Sequence, residues 1–548
     1  MNIREKIGGI SSGVWLSIVT CFMFFLYAPL ELLFTNQDEF WFDAYTLTPI
    51  MFVVFAIMAV CCSFLFVVVR LWGHEKFRLV LLLFFIIFLC SYIQGNWLAG
   101  GLPALDGTPI DWGLYTAERI KSIVLWVAVL AIVVTAFIKL KKDNFEKIVK
   151  VISICMLLMF GVTLLTLAVE NRGFDKKPSL AVTSRELFEV SEDRNFIILL
   201  LDAVDAMRLE DLMQADEAYC EIFEDFTFYD NMVGAYPFTK HSISYILTGH
   251  WFENEMEYRD YEAEAYETSP LLEMLKDTGY DLNLYSTEVL LDVDGKEQFD
   301  NIVPNEKGVS DKWAFARWQM LMTGFKYAPF DLKKFSFVNP NAFRELKISP
   351  EGEPLYTLSN RDFYDSVLEE EISRAEQKCF KFIHIDGAHV PYIYDENVNE
   401  SADATYDTSL QACMTITKAY LEKLKDSGVY DNSVIIVMAD HGYNDEMHDK
   451  GGQMRQNPIF FVKGIQEKHD FQVSGAPVSF EDLQTAYKRL LDGMDSSRIF
   501  DWKEGDSRER RFLVYEYKQE DPIIEFIQPG DARDTDIMYE TGNVYTRE

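Results

Sequence analysis

The stretch SVIIVMADHG, from Ser433 to Gly442, begins as an apolar run and ends in two ionisable side chains, Asp440 and His441. The run predicts a strand buried on both faces, as in a parallel sheet. Packing alone does not explain two ionisable groups at the end of such a strand, and they indicate a functional site. Gly442 allows the backbone to turn away from them.

Short apolar runs alternate with amphipathic segments on both sides of this stretch. This alternation predicts an α/β domain with a mostly parallel central sheet covered by helices. The other candidate strands are 195–202, 281–286, 381–386, 457–464 and 511–517, and the clearest helical patterns are 269–279, 408–427 and 479–493.

Polar residues follow two more of these strands. Asp202 ends the first strand, and His389 follows the strand 381–386. Sheets of this kind bind ligands beyond the carboxyl ends of their strands, so we expect these residues to meet Asp440 and His441. Taken singly, Asp202 could equally be a helix N-cap and His389 could close a turn. His384, on a strand, is interpreted as a packed core residue.

Asp202, Asp440 and His441 form a set of donors suited to a divalent metal ion. Two carboxylates, one imidazole and one further hydroxyl or water would complete a four-ligand site for zinc or manganese. We expect the fourth ligand to be the nucleophile, because metal coordination activates a hydroxyl group for attack at neutral pH.

The first 177 residues have a different character, with five apolar stretches of membrane-spanning length. These stretches lie at about 12–34, 48–70, 78–98, 121–139 and 149–169. Each is close to the roughly 20 apolar residues that a transmembrane helix needs. The first is longer than the apolar region of a signal peptide, and we expect it to be retained. The sequence therefore predicts a transmembrane domain (1–177), a linker (178–194) and an extracytoplasmic catalytic domain (195–548).

Charge predicts how the chain is oriented in the membrane. The N-terminus and the second and fourth loops are rich in Lys and Arg, which favours a cytoplasmic position for them and an outer position for the C-terminal part. Residues 1–177 contain 15 Lys and Arg against 13 Asp and Glu, which leaves 36 and 73 and a net charge of −37 for the remainder. Such an acidic domain excludes nucleic acid as an expected partner. The charge is equally compatible with a role in solubility alone.

Cysteine usage does not indicate a disulfide framework. Only Cys220, Cys379 and Cys413 lie outside the apolar N-terminal region, so at most one pair could form there, and none is the simpler expectation.

The motifs LLLDA, MADHG and AHVPY, together with the eleven residues TKHSISYILTG (Thr239–Gly249), resemble those of the alkaline phosphatase superfamily. Within it, the chain resembles the membrane-bound branch of lipoteichoic acid synthases, phosphoethanolamine transferases and phosphoglycerol transferases. That branch combines five N-terminal transmembrane helices with an extracytoplasmic sulfatase-like domain. The resemblance covers the whole architecture and, in the outer domain, roughly residues 195–493.

The resemblance assigns roles to individual residues. The eleven-residue stretch aligns with the sulfatase signature C-x-P-S-R-x-x-L-L-T-G, and relatives in the transferase branch have threonine at its first position, so Thr239 is implied to be the nucleophile and a metal ligand. A formylglycine, which sulfatases make from Cys or Ser, is not expected. His389 matches the histidine that contacts substrate. Two-metal relatives have an Asp-x-x-x-His motif that 406–420 lacks, so one metal ion is implied.

Lys240 and His241 have no counterpart in the family pattern. Lys240 and His241 are interpreted as contacts for the transferred phosphate, with a solvent-facing position as the alternative. His448 is interpreted as a substrate contact, with a plain loop residue as the alternative.

The function implied is a membrane phosphotransferase that moves a phospholipid headgroup phosphate through phospho-threonine onto a cell-envelope glycan or glycolipid. A membrane-tethered phosphodiesterase or phosphatase is the alternative, because water could resolve the same intermediate. A non-catalytic envelope protein is a third possibility, although Thr239, Asp202, Asp440 and His441 are all present.

Overall fold

The structure, a computed structural model, describes most of the chain in several stretches. They are residues 9–37, 40–102, 110–174, 180–291, 295–305, 308–336, 343, 346–350, 352–443, 455–516 and 519–547. The chain forms two compact units, one of residues 1–178 and 306–348, the other of residues 179–305 and 349–548.

The first unit is built on five helices long and apolar enough to cross a membrane, as predicted. The first of them comprises α1 and α2 joined by a π-helical turn at Met23–Tyr27. The helices are α1 (Ile10–Phe22), α2 (Ala28–Thr35), α3 (Ala44–Trp72), α4 (His74–Trp97), α5 (Thr116–Lys139) and α6 (Lys142–Glu170). Many large apolar side chains of α3, α5 and α6 face outward, which suits a lipid environment and not water.

The second unit has a seven-stranded central sheet with strand order β12-β4-β11-β10-β3-β9-β6. Strands β10, β3, β9 and β6 run parallel, whereas β11 is antiparallel to both of its neighbours. The strands are β3 (Asn195–Leu201), β4 (Thr227–Tyr229), β6 (Tyr280–Tyr285), β9 (Lys378–Ile385), β10 (Ser433–Met438), β11 (Phe460–Lys463) and β12 (Gln472–Ser474). The predicted fold class, five apolar helices followed by an α/β domain with a largely parallel sheet, is confirmed.

Helices cover this sheet and bury a large apolar core between themselves and the strands. The helices are α7 (Ala206–Ala215), α8 (Ala218–Glu221), α9 (Thr239–Thr248), α10 (Tyr258–Glu267), α11 (Pro270–Asp277), α14 (Asn360–Glu369), α15 (Tyr406–Asp426) and α16 (Leu483–Leu491). The predicted helices at 269–279, 408–427 and 479–493 correspond to α11, α15 and α16, the last preceded by a 3₁₀ turn at Phe480–Asp482.

Smaller sheets flank the central one. The pairs are β1 (Leu180–Val182) with β7 (Ile302–Pro304), β2 (Glu189–Ser191) with β8 (Ser373–Ala375), and β5 (Met232–Val233) with β13 (Val478–Ser479). A three-stranded antiparallel sheet contains β14 (Glu509–Glu516), β15 (Gln519–Pro529) and β16 (Tyr539–Tyr545). The predicted strand at 511–517 therefore exists, but it belongs to this separate sheet.

Two segments differ from the predicted domain division. The stretch 178–194, predicted to be a linker, contains β1 and β2, and both are paired with strands of the second unit. Residues 306–348, here called the inserted segment, lie within the predicted catalytic domain but belong to the first unit. The inserted segment contains α12 (Lys312–Tyr327) and α13 (Phe330–Lys333), and its apolar residues join a cluster with those of α2 and α3. The eight cysteines are all unpaired.

A fully buried ion pair supports the helix that carries the predicted nucleophile. Lys296 Nζ lies 3.3 Å from Glu262 Oε1, and both side chains have no exposed surface. The Ser244 hydroxyl of α9 donates to the same carboxylate at 3.0 Å, and the Leu290 amide donates to it at 3.1 Å. The pair thus ties α9 to α10 and to the loop after β6.

Lys296→Met is expected to destabilise the second unit by about 3–5 kcal/mol, because it leaves the Glu262 charge buried without its cation. Thermal unfolding of the purified chain measures this effect. Lys418→Met is the matched control, since Lys418 pairs with Glu422 at 3.9 Å with both side chains well exposed, and such pairs contribute at most about 1 kcal/mol. Equal effects of the two substitutions would contradict the structural role of the buried pair.

Candidate metal and nucleophile site

The carboxyl ends of two adjacent parallel strands, β3 and β10, bring the predicted ligands Asp202, Asp440 and His441 together. Strand β3 lies between β10 and β9, with Leu200 opposite Met438 and Leu201 opposite Ile385. Asp202 lies two residues after Leu200 and Asp440 lies two residues after Met438. Because Leu200 and Met438 are paired, the two aspartates lie at the same level of the sheet edge. This is the arrangement that the carboxyl-end rule predicts.

A glycine allows the β9 turn to approach this edge closely. Gly387 has a φ of +59°, and a Cβ atom at this position would lie 2.3 Å from the Asp202 amide nitrogen. The Ala388 amide donates to the Asp202 carbonyl at 2.9 Å. Only glycine fits this combination of left-handed backbone and close contact.

Asp202, Asp440 and His441 form a cluster with the geometry of a metal site. One potential ligand atom from each residue lies within 4.8 Å of the others, and all three side chains are buried. His441 Nε2 is 3.7 Å from Asp202 Oδ1 and 3.4 Å from Asp440 Oδ2.

The donor atoms of this cluster suit a cation. Asp202 Oδ1 and Asp440 Oδ2 are buried and accept no hydrogen bond, although buried polar atoms are almost always paired. Two unpaired carboxylate oxygens converging with an imidazole nitrogen are what a divalent cation would satisfy. These residues could therefore hold a divalent metal ion.

The hydrogen bonds of His441 set its tautomer for ligation. Its Nδ1 lies 2.8 Å from the Gly442 carbonyl, so the ring proton belongs on Nδ1 and Nε2 is directed at the carboxylates. Burial lowers the pKa of His441. A neutral imidazole is the form that binds a metal.

Thr239 lies beside this cluster at the start of α9. Its hydroxyl donates to Asp202 Oδ2 at 3.3 Å. Thr239 is the first residue of a ten-residue helix whose N-cap, Phe238, provides no side-chain hydrogen bond. The amide groups of the first turn are thus without a side-chain cap, and the end of the helix carries a partial positive charge. An anionic group reacting at Thr239 would be stabilised there.

His389 lies on the loop after β9, close enough to Asp202 to influence it. Burial is the largest single influence and acts to raise the pKa of Asp202, but His389, His384 and His441 together outweigh burial and lower this pKa. His389 Nδ1 is 2.5 Å from the Val390 carbonyl, so Nε2 is the nitrogen that can exchange a proton with another group.

His384 and Arg455 also belong to the site, although the sequence interpretation missed both. His384 Nε2 is 3.4 Å from Asp202 Oδ2 and its Nδ1 is 3.0 Å from the Ser286 hydroxyl, so this strand histidine positions a ligand. The sequence did contain a signal for this role, because His384 lies two strand positions before Asp386, which is at the sheet edge. Burial acts to lower the pKa of His384, but Asp202 outweighs burial and raises it.

Arg455 contributes positive charge near the start of α9. Its Nη1 donates to the Pro237 carbonyl at 3.2 Å, and its guanidinium lies 5.2 Å from the Phe238 ring centroid. Burial lowers the pKa of Arg455, and Asp202 and Asp440 oppose this shift. Nothing in the sequence around Arg455 marked it as a site residue.

Lys240 and His241, which were predicted to contact substrate, pack against aromatic side chains. His241 is fully buried among aromatic rings, with Nδ1 2.7 Å from the Tyr515 hydroxyl, so it supports α9 from behind and has no exposed face for substrate. Lys240 extends over the Tyr258 ring, with Nζ 4.1 Å from the centroid. His448 lies outside the described residues.

The fold and site define an α/β domain with a threonine hydroxyl beside a candidate metal site. A family model described as Sulfatase matches residues 195–492, more than half of the chain. The chain therefore belongs to the sulfatase family of the alkaline phosphatase superfamily, whose enzymes act on sulfate or phosphate esters. No curated protein matches the chain in sequence.

Solved structures similar to this chain come from the same superfamily. A protein in the alkaline phosphatase superfamily from Vibrio parahaemolyticus is 14% identical, with 68% of this chain and 85% of that one covered and a TM-score of 0.34. The PsFucS1 sulfatase from Pseudoalteromonas sp. is 13% identical, with 64% of this chain and 82% of that one covered and a TM-score of 0.35. These likenesses are weak, and the family assignment rests on the family model.

Proposed function

We propose that this protein is a membrane phosphotransferase that moves a phospho-headgroup from a phospholipid, through a phospho-threonine at Thr239, onto a cell-envelope glycan or glycolipid. The observation that carries the proposal is the Thr239 hydroxyl bound to Asp202 at the start of α9, in a chain that also has five helices able to cross a membrane.

The identity of the nucleophile separates this chemistry from sulfate ester hydrolysis. A formylglycine is made from Cys or Ser, and position 239 is a threonine. A threonine hydroxyl attacks a phosphodiester as an alkoxide-like nucleophile. Within the family of sulfate and phosphate ester enzymes, the residue at this position therefore favours phosphorus.

The first half-reaction exchanges one phosphoester for another. The Thr239 Oγ1–P bond forms while the bond from phosphorus to the glycerol oxygen of diacylglycerol breaks. Asp202 Oδ2 accepts the hydrogen bond of the Thr239 hydroxyl and orients its oxygen, and the hydroxyl proton passes to solvent as the Oγ1–P bond forms. His389 donates a proton from Nε2 to the departing glycerol oxygen. Its other ring nitrogen, Nδ1, is hydrogen-bonded to the Val390 carbonyl.

The second half-reaction is the reverse of the first, with a hydroxyl group of the acceptor in place of diacylglycerol. A sugar hydroxyl of the acceptor loses its proton to His389 Nε2 and attacks phosphorus, and Thr239 Oγ1 leaves and regains a proton from solvent. The amide groups at the start of α9 and the guanidinium of Arg455 stabilise the anionic phosphoryl oxygens during both steps. In an outer domain with a net charge of −37, this local positive charge also attracts an anionic substrate.

One divalent metal ion, zinc or manganese, held by Asp202, Asp440, His441 and the Thr239 hydroxyl, would supply Lewis-acid stabilisation of charge on the transferring group. The buried, unpaired carboxylate oxygens support this assignment.

The apolar helices support a lipid as the donor. A phospholipid does not diffuse through water, so an enzyme that uses one gains from being held at the bilayer surface. We propose that the protein resides in the plasma membrane with its N-terminus in the cytoplasm and its catalytic domain outside. Basic residues in the N-terminal, second and fourth loop segments support this orientation.

Transfer and hydrolysis are distinguished by the fate of the headgroup. The purified chain is incubated with vesicles of radiolabelled phosphatidylglycerol or phosphatidylethanolamine, with and without cell-envelope glycolipid. The proposal predicts label in the glycolipid, diacylglycerol in equal amount, and no hydrolysis of an aryl sulfate. Release of free headgroup phosphate with every acceptor would show a hydrolase, and aryl sulfate turnover would contradict the phosphorus assignment.

A further inference from the structure

The inserted segment caps one end of the five candidate spans. Tyr327 of α12 packs against Phe24 with ring centroids 6.0 Å apart, and its hydroxyl is 3.3 Å from Glu31. Lys326 forms an ion pair with Glu31 at 2.6 Å, with the two side chains 28% and 14% exposed. The contacts with Glu31 lie toward the C-terminal end of the first span, which is Ile10–Thr35.

The other contacts of the segment lie at the same end of the bundle. Phe315 packs against Phe42, immediately before α3, with centroids 4.8 Å apart. The Phe330 amide donates to the Ser122 hydroxyl near the start of α5 at 3.2 Å. Arg119 and Asp331 form an ion pair at 2.8 Å. Because spans alternate in direction, these starts and ends all lie at one face of the membrane.

The side of the segment that faces away from these contacts exposes large apolar residues. Trp313, Arg317 and Met320 lie at i, i+4 and i+7 and so share one face of α12. Trp313 is 74% exposed and Met320 43%, and beyond α12 Leu332 is 53% and Phe335 70% exposed. Together these five residues are called the outer stripe.

The charge of the inserted segment is opposite to that of the rest of the chain. Residues 306–348 contain eight Lys and Arg against four Asp and Glu, whereas the whole chain has a net charge of −35. Lys312 and Lys334 are exposed beside the outer stripe and Arg317 is exposed within it, and Lys334 Nζ lies 5.1 Å from the Phe335 centroid. Exposed Trp and Phe alternating with basic residues is the pattern of helices that lie in a membrane interface.

We propose that the outer stripe lies in the headgroup layer of the membrane and binds anionic phospholipid. Two features support a lipid surface as the occupant. The segment contacts the ends of the candidate spans, where the headgroups would lie, and its charge complements anionic lipid. The proposal does not depend on the reaction at Thr239.

Depth-dependent quenching of tryptophan fluorescence tests this proposal on the full-length chain. The protein is reconstituted into vesicles that contain phosphatidylcholine or phosphatidylglycerol with brominated acyl chains. The contribution of Trp313 is obtained as the difference between the native chain and Trp313→Phe. Trp502→Phe, at a ring of the second unit that stacks on Arg508 at 4.6 Å, provides the matched control.

We expect brominated lipid to quench the fluorescence of Trp313 but not the fluorescence of Trp502. Quenching by phosphatidylglycerol should exceed that by phosphatidylcholine, and Arg317→Gln should reduce the local enrichment of phosphatidylglycerol on the order of fivefold. Met320→Trp in the Trp313→Phe background provides a second reporter and should behave like Trp313.

Two results would overturn the proposal. Absence of quenching at both reporters would exclude the headgroup layer and leave a second copy or another protein as the occupant. Equal quenching by the two lipids at both reporters would exclude selectivity for anionic headgroups.

Discussion

Thr239→Ala is expected to reduce phosphotransfer by about 10⁴-fold or more, the loss seen when a covalent nucleophile is removed. The Thr239 hydroxyl donates to Asp202 Oδ2 at the start of α9, and no other described hydroxyl group on α9 is directed at this carboxylate. The hydroxyl groups of Ser242 and Ser244 instead bind the Tyr236 carbonyl and Glu262. Initial rates of lipid headgroup release measure the effect.

Two matched variants separate loss of the nucleophile from loss of structure. Thr239→Ser keeps the hydroxyl and should retain activity within about tenfold of the native chain. Ser242→Ala removes a buried hydroxyl from the same helix and should leave turnover in the native range while lowering stability by about 1 kcal/mol. Substantial turnover by Thr239→Ala, or an equal loss in Ser242→Ala, would contradict the assigned role of Thr239.

Asp440→Asn is expected to weaken metal binding by more than about 100-fold. Changing a residue that only supports a metal ligand weakens binding by up to about 100-fold, and loss of a ligand itself should cost more. The substitution removes the charge of a carboxylate whose Oδ2 is buried and accepts no hydrogen bond. The amide oxygen of the new side chain can still accept from the Ala203 amide, which donates to Asp440 Oδ1 at 3.2 Å in the native chain. Activity should fall with the loss of metal.

Thermal unfolding with and without added Mn²⁺ or Zn²⁺ distinguishes this effect from misfolding. A ligand at 100 times its Kd stabilises the native state by about 2.7 kcal/mol, so the native chain should gain stability when metal is added. Asp440→Asn should lose this gain, while its stability without metal should equal or exceed that of the native chain, because two buried carboxylates no longer repel each other. An undiminished metal-induced gain in Asp440→Asn would exclude Asp440 as a ligand.

The convergence of the candidate ligands was predictable because it depends on a regular feature of the fold. Parallel strands place their carboxyl ends at one edge, so an Asp after β3 and an Asp-His pair after β10 had to converge once both runs were recognised as strands. The five apolar helices were equally predictable, since span length and composition are local properties of the sequence.

The features that sequence reasoning missed depend on contacts between distant residues. The pattern of α12 is that of an ordinary amphipathic helix, and only its partners, such as Phe42, show that it belongs with the first unit. The 509–516 strand has the periodicity of any strand, which does not specify the sheet it joins. His384 resembles a core residue by position, and its ligand-positioning role depends on the register between β3 and β9.

The surroundings of Lys240 and His241 show the same limitation close to the nucleophile. Residues adjacent to Thr239 in sequence were expected to face the substrate, but successive residues of a helix point in directions about 100° apart. His241 consequently points back into the aromatic cluster and Lys240 toward Tyr258. Arg455, which is distant in sequence, carries positive charge near the site.

Mass spectrometry of the peptide containing Thr239, after the chain has been exposed to phospholipid vesicles without an acceptor, tests the central claim most directly. The account predicts a mass increase equal to a phospho-headgroup, located on Thr239 and absent from the corresponding peptide of the Thr239→Ala variant. The added mass would identify the headgroup as glycerol, ethanolamine or another alcohol. An unmodified Thr239 in a chain that still turns over the lipid, or an adduct on a different residue, would contradict the account.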